Sequence, residues 1–169
     1  TAKYSDPSNP GSHQLPAKQR LHQQMNNVQG TVLWYAKTAV DNVGNIGHTL
    51  RNHYWKYPAL PPLMPFLDDK DPKKVKGIKL LWTEFGPLLV WKAPKWKTKK
   101  WGDEVNRFAV YRFEKGEKID LRNVKALQKV TYDPFYKVKY EKGKKYVYVI
   151  TALDRVGNES KGKTIKVSF

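Results

Sequence analysis

Seven short strand-like segments follow one another in the second half of the chain, and their spacing constrains the fold more than any other feature. They are rich in aromatic and β-branched residues, and glycine, proline, aspartate or asparagine stands between them. The segments are 78–85, 87–94, 107–114, 126–132, 135–141, 145–154 and 162–169. Seven strands in about 90 residues predict an antiparallel β-sandwich over 76–169, and so a mainly β protein.

The first half follows a different pattern, in which a single strand stands between two helices. A proline-containing loop over 4–13 precedes a predicted helix over 16–28, and a second helix is predicted over 46–54. Between them the stretch GTVLWYAK, 30–37, is apolar without polar alternation, which is typical of a strand buried on both faces of a parallel sheet. Nothing nearby could pair with a strand at 31–37. We therefore expect a truncated α/β segment.

The two halves are joined by two stretches of contrasting composition. The first, 56–68, has four prolines and is otherwise mostly apolar, which excludes a helix and predicts an extended segment packed along a domain surface. The second, 68–77, is charged and poor in apolar residues. The sequence therefore predicts a domain boundary between residues 75 and 76.

Positive charge is concentrated in the predicted sandwich. The net charge is +17, and from residue 76 onward 23 Lys and Arg stand against 10 Asp and Glu. Such a surface can attract nucleic acid, anionic lipid or acidic polysaccharide. The alternative is that the lysines keep the sheet surface and edges soluble. We expect no nucleic-acid partner, because the strands carry no recognised RNA-stacking motif.

Several kinds of site are not expected from the sequence. The absence of cysteine excludes disulfides, thiolate nucleophiles and cysteine metal sites. The closest histidine pair, His48 and His53, is five residues apart, whereas helical metal pairs prefer a spacing of three or four. No phosphate-binding glycine motif is present. We expect neither a metal nor a cofactor.

The loop 92–104 is the most suggestive stretch of the predicted sandwich. Trp96 and Trp101 lie there among five lysines. Aromatic faces can stack on sugars or bases, and lysines can meet carboxylates or phosphates. The alternative is that both tryptophans fold against the sandwich or a neighbouring domain.

Three segments of the second half resemble fibronectin type III domains. VWKAP, 90–94, is similar to the Trp-x-x-Pro of their second strand, and FAVYR, 108–112, resembles their third strand. KYVYVITALDRVGNES, 145–160, is similar to their sixth strand and the turn after it. The resemblance covers 76–169 and places Tyr146 at the corner tyrosine of the family. It implies a fibronectin type III-like antiparallel β-sandwich, a fold that does not define a function.

Residues 4–68 resemble the end of a family of bacterial glycosyl-hydrolase-like envelope lipoproteins. The similar stretches are the loop YSDPSNPGSH, the strand QGTVLWYAK, and the helix and exit GHTLRNHYWKYPALPPLMPFLD. The resemblance implies that 1–75 is the C-terminal part of a (β/α)8 (TIM) barrel and that 30–37 is its last strand. The missing strands of that barrel would be partners of this chain.

This resemblance also implies a function. The chain would be the C-terminal fragment of a secreted glycoside hydrolase that acts on bacterial envelope or other polysaccharide, with the sandwich as an accessory or positioning module. The catalytic carboxylate pair would lie upstream, so the fragment itself is expected to be inactive. The full-length protein is expected in the cell envelope, periplasmic or extracellular, held to a membrane only through a lipid anchor.

Barrel chemistry occurs in the loops that follow the strands, which suggests candidate substrate-binding residues. In these loops polar side chains could bind sugar hydroxyls, with an aromatic ring as a stacking wall. The alternative is that Trp34 fills the barrel interior and that Asp6 and Asn9 cap turns. Together with the basic loop, the candidates are Tyr4, Asp6, Asn9, Trp34, Tyr35, Lys37, Trp96 and Trp101.

Two other functions remain open from the sequence. The first is a non-catalytic carbohydrate- or polyanion-binding module that uses the basic, tryptophan-rich loop. The second is a spacer that only stabilises or positions the barrel, because the apolar exit 57–67 would suit a module docked rigidly against its neighbour.

Overall fold

The computed structural model describes residues 14–28, 30–32, 36–95 and 100–169. The chain divides into two compact units, Thr1–Tyr57 and Pro58–Phe169. This division lies upstream of the predicted boundary at 75/76, so the proline-rich and charged stretches belong to the same unit as the β-strands. Within the described ranges, no helix has the length and apolar character needed to cross a lipid bilayer.

All regular secondary structure in the described residues of the first unit is helical. Helix α1 spans Gln14–Gln24, α2 spans Lys37–Val40 and α3 spans Ile46–Thr49. A 3₁₀ turn at Val43–Asn45 precedes α3, and a π-helix at Leu50–Tyr54 continues it. The predicted helices over 16–28 and 46–54 are therefore confirmed in position, although α1 begins and ends earlier than predicted.

The predicted strand over 31–37 is not formed in the part of that stretch that the structure describes. Thr31 and Val32 have no regular secondary structure, Val32 is 93% exposed, and Lys37 begins α2. Residues 33–35 lie outside the described ranges. A strand needs a neighbouring strand for its backbone hydrogen bonds, and no described residue of the first unit offers one.

The described residues of the second unit form seven strands in two antiparallel sheets, as the sequence predicted. The strands are β1 Lys76–Thr83, β2 Gly86–Lys92, β3 Val105–Glu114, β4 Leu127–Thr131, β5 Phe135–Lys137, β6 Lys145–Asp154 and β7 Lys163–Ser168. One sheet has the order β1-β2-β5 and the other the order β4-β3-β6-β7. All pairings between these strands are antiparallel.

The main core lies between the two sheets, because alternate residues of each strand point to the same face. Trp91 of β2 meets Phe108 of β3 edge to face, with ring centroids 5.5 Å apart. The buried members of this core are Val75, Leu89, Trp91, Phe108, Val110, Val138, Tyr146, Tyr148, Ile150, Ala152 and Val167. The two sheets therefore form a sandwich around one apolar layer.

A second apolar cluster covers the outer face of the four-stranded sheet. Its buried members are Ala109, Tyr111, Phe113, Ala126, Leu127, Val149 and Leu153. Leu121, from the connection between β3 and β4, and Leu60, from the proline-rich stretch, pack against it. The strands β3 and β6 are consequently buried on both faces, which explains their long apolar runs.

The strand directions give the sandwich two distinct ends. The docking end carries the described residues 93–95 and 100–104 between β2 and β3, and the connections 132–134 and 155–162. The far end carries the connections 84–85, 115–126 and 138–144, together with Phe169 after β7. The two ends bring different loops together, and each carries exposed aromatic residues.

The proline-rich segment 58–68 packs on the docking end. The backbone N–H of Met64 donates to the carbonyl oxygen of Val156 over 2.8 Å. The side-chain amide of Asn158 donates to the carbonyl oxygen of Asp68 over 3.2 Å. Gly157 has a φ of +91°, and a Cβ there would lie 2.7 Å from the carbonyl oxygen of Pro62. The domain surface predicted for this segment is thus the sandwich itself.

Candidate functional site

Most of the predicted substrate-binding residues fall outside the described ranges. These are Tyr4, Asp6, Asn9, Trp34, Tyr35 and Trp96. Their roles stay predictions. The other two, Lys37 and Trp101, lie in different units of the chain, and each can be described in its own surroundings.

Lys37 is engaged in a local ion pair. It begins α2, and its Nζ lies 2.6 Å from Oδ2 of Asp41 one turn later. The next residue, Asn42, has a left-handed backbone and accepts the backbone N–H of His48 through Oδ1 over 3.1 Å. These polar groups support the turn between α2 and α3, as local side-chain hydrogen bonds commonly do. The part of Lys37 in substrate binding stays a prediction.

A small cavity of about 150 Å³ lies within the first unit. On its wall the Oγ1 of Thr31 is 3.0 Å from Nδ1 of His22 and donates to Oε1 of Gln19 over 3.4 Å. Val28, Gly30 and Trp55 complete much of the lining. Ligand pockets usually have volumes of roughly 300–1,000 Å³, so this cavity is small for a saccharide of more than one unit.

Trp101 lies on the docking end and remains accessible. Its side chain is 61% exposed, and the guanidinium carbon of Arg155 lies 5.2 Å from the ring centroid. Arg155 in turn donates through Nε to Oε2 of Glu104 over 2.6 Å. The cation on the ring is therefore already balanced by a carboxylate. Trp101 is not folded into the core, and its exposed face remains available to a ligand.

Three aspartates meet beside this tryptophan. Asp154 is fully buried, and its carboxylate accepts the backbone N–H groups of Val156 and Asn158 over 3.0 and 2.8 Å. Asp68, from the docked segment, is hydrogen-bonded to Asp103. Burial, that hydrogen bond and the charges of Asp103 and Asp154 raise the pKa of Asp68 above its usual range. Among the residues that the structure describes, no such group is arranged to hold a metal ion.

The raised pKa of Asp68 makes the stability of the sandwich depend on pH. The carboxyl of Asp68 binds its proton more tightly in the folded chain than in the unfolded chain. The free energy of unfolding therefore falls as the pH rises from the unfolded-state pKa of Asp68 through its folded-state pKa. Asp68→Asn removes the charge and keeps a hydrogen-bond donor toward Asp103. We expect the variant to have a higher Tm than the parent at pH 7 and an advantage that shrinks toward pH 3.5, as measured by thermal unfolding.

Asp69→Asn is the matched control, because Asp69 is the exposed neighbour of Asp68 in the same segment. It removes the same formal charge, so a general charge effect would change the Tm of both variants alike. An equal gain for Asp69→Asn, or a constant gain for Asp68→Asn at every pH, would contradict the assignment to the contact of Asp68 with Asp103 and Asp154.

The sequence prediction missed an aromatic group on the far end. Trp82, Tyr140 and Phe169 meet edge to face, with ring centroids 5.4 to 6.0 Å apart. Trp82 and Tyr140 are nevertheless 62% and 51% exposed. The signal was present in the period of two along β1, because Trp82 shares a face with Ile78 and Leu80. At the end of the strand that face continues past the core to the rim.

One comparison with curated proteins gives a clear relative. The chain is 35% identical over 145 residues to the glycosyl hydrolase YngK of Bacillus subtilis (strain 168). The matched region covers 83% of this chain and 27% of that relative, so the chain spans about a quarter of the length of the curated protein it matches. No protein-family model matches. The chain is thus related to a protein named as a glycosyl hydrolase.

Solved structures give weaker likenesses. The twitchin kinase region of C. elegans covers 59% of this chain and 17% of its own, at 15% identity and a TM-score of 0.45. The Clostridium perfringens spore cortex lytic enzyme SleM covers 58% and 28%, at 20% identity and 0.35. The beta-1,2-glucanase of Parabacteroides distasonis covers 65% and 14%, at 19% identity and 0.39. All three TM-scores lie below 0.5, which is too low to indicate a shared overall fold.

Proposed function

We propose that this chain is the C-terminal part of a secreted glycoside hydrolase that acts on bacterial envelope or other polysaccharide. The observation that carries the proposal is the 35% identity over 145 residues to a protein named as a glycosyl hydrolase. That alignment extends over most of this chain, so it includes residues of the β-sandwich as well as residues upstream of it. The sandwich therefore belongs with the hydrolase as an accessory module.

The proposal assigns the two units different roles. The upstream unit is the end of a catalytic (β/α)8 barrel, and the sandwich is a fibronectin type III-like module. Support for the module comes from the position of its motif residues, because Trp91 lies on the second strand, 108–112 on the third and Tyr146 on the sixth. The barrel assignment rests on the resemblance of 4–68. The envelope location and the lipid anchor belong to the same proposal.

The catalytic acid and base belong upstream of this chain in this proposal. Most glycosidases need two carboxylates on either side of the bond that they cut. In the described residues the grouped aspartates Asp68, Asp103 and Asp154 lie at the docking end, where Asp154 is buried and accepts hydrogen bonds from the turn after β6. Asp154 thus has a structural role in the turn after β6.

A release assay tests the proposal directly. The complete protein that includes this chain and the 169-residue chain alone are incubated with purified cell-wall glycan and with a panel of neutral and acidic polysaccharides, and new reducing ends are measured. We expect release by the complete protein and none by the chain. A complete protein inactive on every glycan would contradict the hydrolase, and release by the chain alone would contradict the upstream position of the carboxylates.

A truncation distinguishes an accessory module from a simple spacer. The complete protein is compared with a form that ends at Tyr57, before the segment that packs on the sandwich. An accessory module that holds substrate should lower the KM for polymer while leaving the rate on short soluble oligosaccharides nearly unchanged. A spacer that only stabilises the barrel would, when removed, lower the Tm and the activity on both substrates together.

The exposed ring of Trp101 favours a second candidate function, a non-catalytic binding module. Its accessible ring lies in the basic loop 92–104, which is the loop that the sequence singled out. On this alternative the chain binds carbohydrate or polyanion through the docking end and needs no catalytic partner. Loss of glycan binding in Trp101→Ala would favour it.

A further inference from the structure

We propose that the far end of the sandwich is a binding site for an acidic polysaccharide. Trp82 supplies the surface on which a sugar ring stacks, and Lys115, Lys145 and Lys166 supply the positive charge. The inference deepens the proposed function, on which it rests for the choice of a saccharide ligand. It names a site at the opposite end of the module from the basic loop 92–104.

The far-end aromatic group holds one indole ring in place and leaves it accessible. Tyr140 contacts Trp82 at a centroid distance of 5.8 Å and an interplanar angle of 67°, and Phe169 does so at 6.0 Å and 88°. Contacts of this kind orient a ring, so less side-chain entropy is lost when a ligand binds. Because Trp82 is still 62% exposed, a sugar can lie against its face.

Phe169 is itself fixed by the backbone. Its N–H donates to the carbonyl oxygen of Lys144 over 3.0 Å, and its carbonyl oxygen accepts the N–H of Gly143 over 2.9 Å. Its ring also meets Tyr140 at 5.4 Å. The aromatic group therefore joins β1, the connection before β6 and the residue after β7. An exposed aromatic cluster built from three separate segments is a feature typical of an interaction site.

A basic cavity of about 450 Å³ lies at the same end. It is lined by Lys115, Gly116, Lys145, Tyr146, Val147, Lys166, Val167 and Ser168. Three of these residues are lysines and none is an acid. Lys145 is paired with Ser168 and Val147 with Lys166, so Lys145 and Lys166 lie on the same face of β6 and β7. Lys115 follows β3, and its backbone N–H donates to the carbonyl oxygen of Lys145 over 3.1 Å. The volume is within the roughly 300–1,000 Å³ range of ligand pockets.

The aromatic group and the cavity are neighbours along the chain at the end of β7. Ser168 lines the cavity, and the next residue, Phe169, belongs to the aromatic group. The nearby carboxylate of Glu141 is hydrogen-bonded to Arg112 over 3.4 Å. A ligand that spans both features needs apolar faces for the tryptophan and negative charges for the lysines. A chain of sugars with carboxylate groups has both.

A saccharide fits this surface better than a lipid bilayer does. Membrane-surface binding usually relies on an amphipathic helix with a broad apolar face, and the far end contains no helix. The apolar contribution here is a small group of aromatic rings whose edges are already in contact. The relationship to a protein named as a glycosyl hydrolase also favours a saccharide. Anionic vesicles therefore serve as the comparison ligand.

Calorimetric titration of the 169-residue chain tests the site. The probes are polygalacturonate, hyaluronan and purified peptidoglycan, with methyl-esterified polygalacturonate as the uncharged counterpart of the first. We expect binding to at least one acidic polymer. Trp82→Ala should raise the Kd for that polymer at least tenfold, and Tyr140→Ala should raise it as well. Replacing Lys115, Lys145 and Lys166 together by Gln should raise the Kd for polygalacturonate and leave that for its methyl ester unchanged.

Two variants serve as matched controls. Tyr132→Ala removes a 72% exposed aromatic residue from the docking end, and Lys129→Gln removes an exposed lysine of β4 outside the cavity. Both should bind like the parent, and circular dichroism and Tm confirm that each variant is folded. The inference is overturned if no acidic polymer binds, if Trp101→Ala loses binding and Trp82→Ala does not, or if vesicles with anionic lipid bind more tightly than every glycan.

The failure of this inference and that of the proposed function can be told apart. The titration involves no hydrolysis, and the release assay of the complete protein does not require the far end. If the complete protein released reducing ends but this chain bound no acidic polymer, the far-end site would be contradicted and the hydrolase proposal would stand. If binding depended on Trp82 but the complete protein was inactive on every glycan, the far-end site would stand and the hydrolase proposal would be contradicted.

Discussion

Replacing Asp154 with alanine is expected to lower the free energy of unfolding of the sandwich by about 3–5 kcal/mol, since a buried donor that loses its acceptor costs roughly 1–3 kcal/mol. Asp154 is fully buried, and its carboxylate accepts three hydrogen bonds. Oδ1 accepts the backbone N–H groups of Val156 and Asn158 over 3.0 and 2.8 Å, and Oδ2 accepts the Asn158 side chain over 2.9 Å. Denaturant unfolding measured by circular dichroism gives the change.

The same substitution should also loosen the docked segment. Asp154 holds the turn whose Val156 carbonyl accepts the backbone N–H of Met64, and it orients the Asn158 amide toward the carbonyl oxygen of Asp68. Without the carboxylate, both contacts to 58–68 lose their support. Hydrogen exchange at Met64 should therefore become faster in Asp154→Ala at denaturant concentrations where the sandwich remains folded.

Asp120→Ala is the matched control for this prediction. Asp120 makes the same kind of turn, because its Oδ1 accepts the backbone N–H of Arg122 over 3.0 Å, but Arg122 is exposed to solvent. Water can replace that acceptor, so we expect a loss below about 1 kcal/mol. Asp154→Asn, which keeps one carbonyl oxygen, should fall between the two. Equal losses for Asp154→Ala and Asp120→Ala would show that burial of the turn contributes nothing.

The strands could be predicted from the sequence because their pattern is local. In β2 the side chains of Leu89 and Trp91 alternate with less buried neighbours, and the turn at Gly86 has a φ of +100° that suits glycine. The long apolar runs of β3 and β6 were also correct as strands. Their burial on both faces depends on Leu60 and Leu121, which come from distant or irregular segments, so local periodicity could not show it.

The domain boundary and the aromatic group of the far end could not be predicted from local sequence patterns. The charged stretch after Asp68 looks like a linker, yet the residues before it are fixed by Val156 and Asn158, which are about 90 residues later. Trp82 lies on the same face of β1 as the core-facing residues Ile78 and Leu80. Its exposure follows from its position at the end of the sandwich, which the local sequence pattern does not show. The sequence directed attention to the tryptophans with neighbouring lysines, whereas the lysines of the far-end cavity are separated along the chain.

Trp91→Ala is expected to lower the free energy of unfolding of the sandwich by about 3–5 kcal/mol, as large-to-small substitutions of buried aromatic residues do. Trp91 is 5% exposed and packs against Phe108 between the two sheets. Its Nε1–H is buried and has no hydrogen-bond partner among the described residues. An alanine would remove the ring and leave a cavity in the layer that holds the sheets together.

Trp91→Phe separates the packing of this ring from its polar atom. Phenylalanine keeps an aromatic ring against Phe108 and removes the unpaired N–H, whose burial costs roughly 1–3 kcal/mol. We therefore expect a loss of at most about 2 kcal/mol, because the smaller cavity is offset by the removal of that donor. Circular dichroism is the suitable probe, since the chain has six tryptophans. If Trp91→Phe were as destabilising as Trp91→Ala, the indole N–H would have to contribute a favourable interaction. That result would contradict the assignment of this N–H as an unpaired donor.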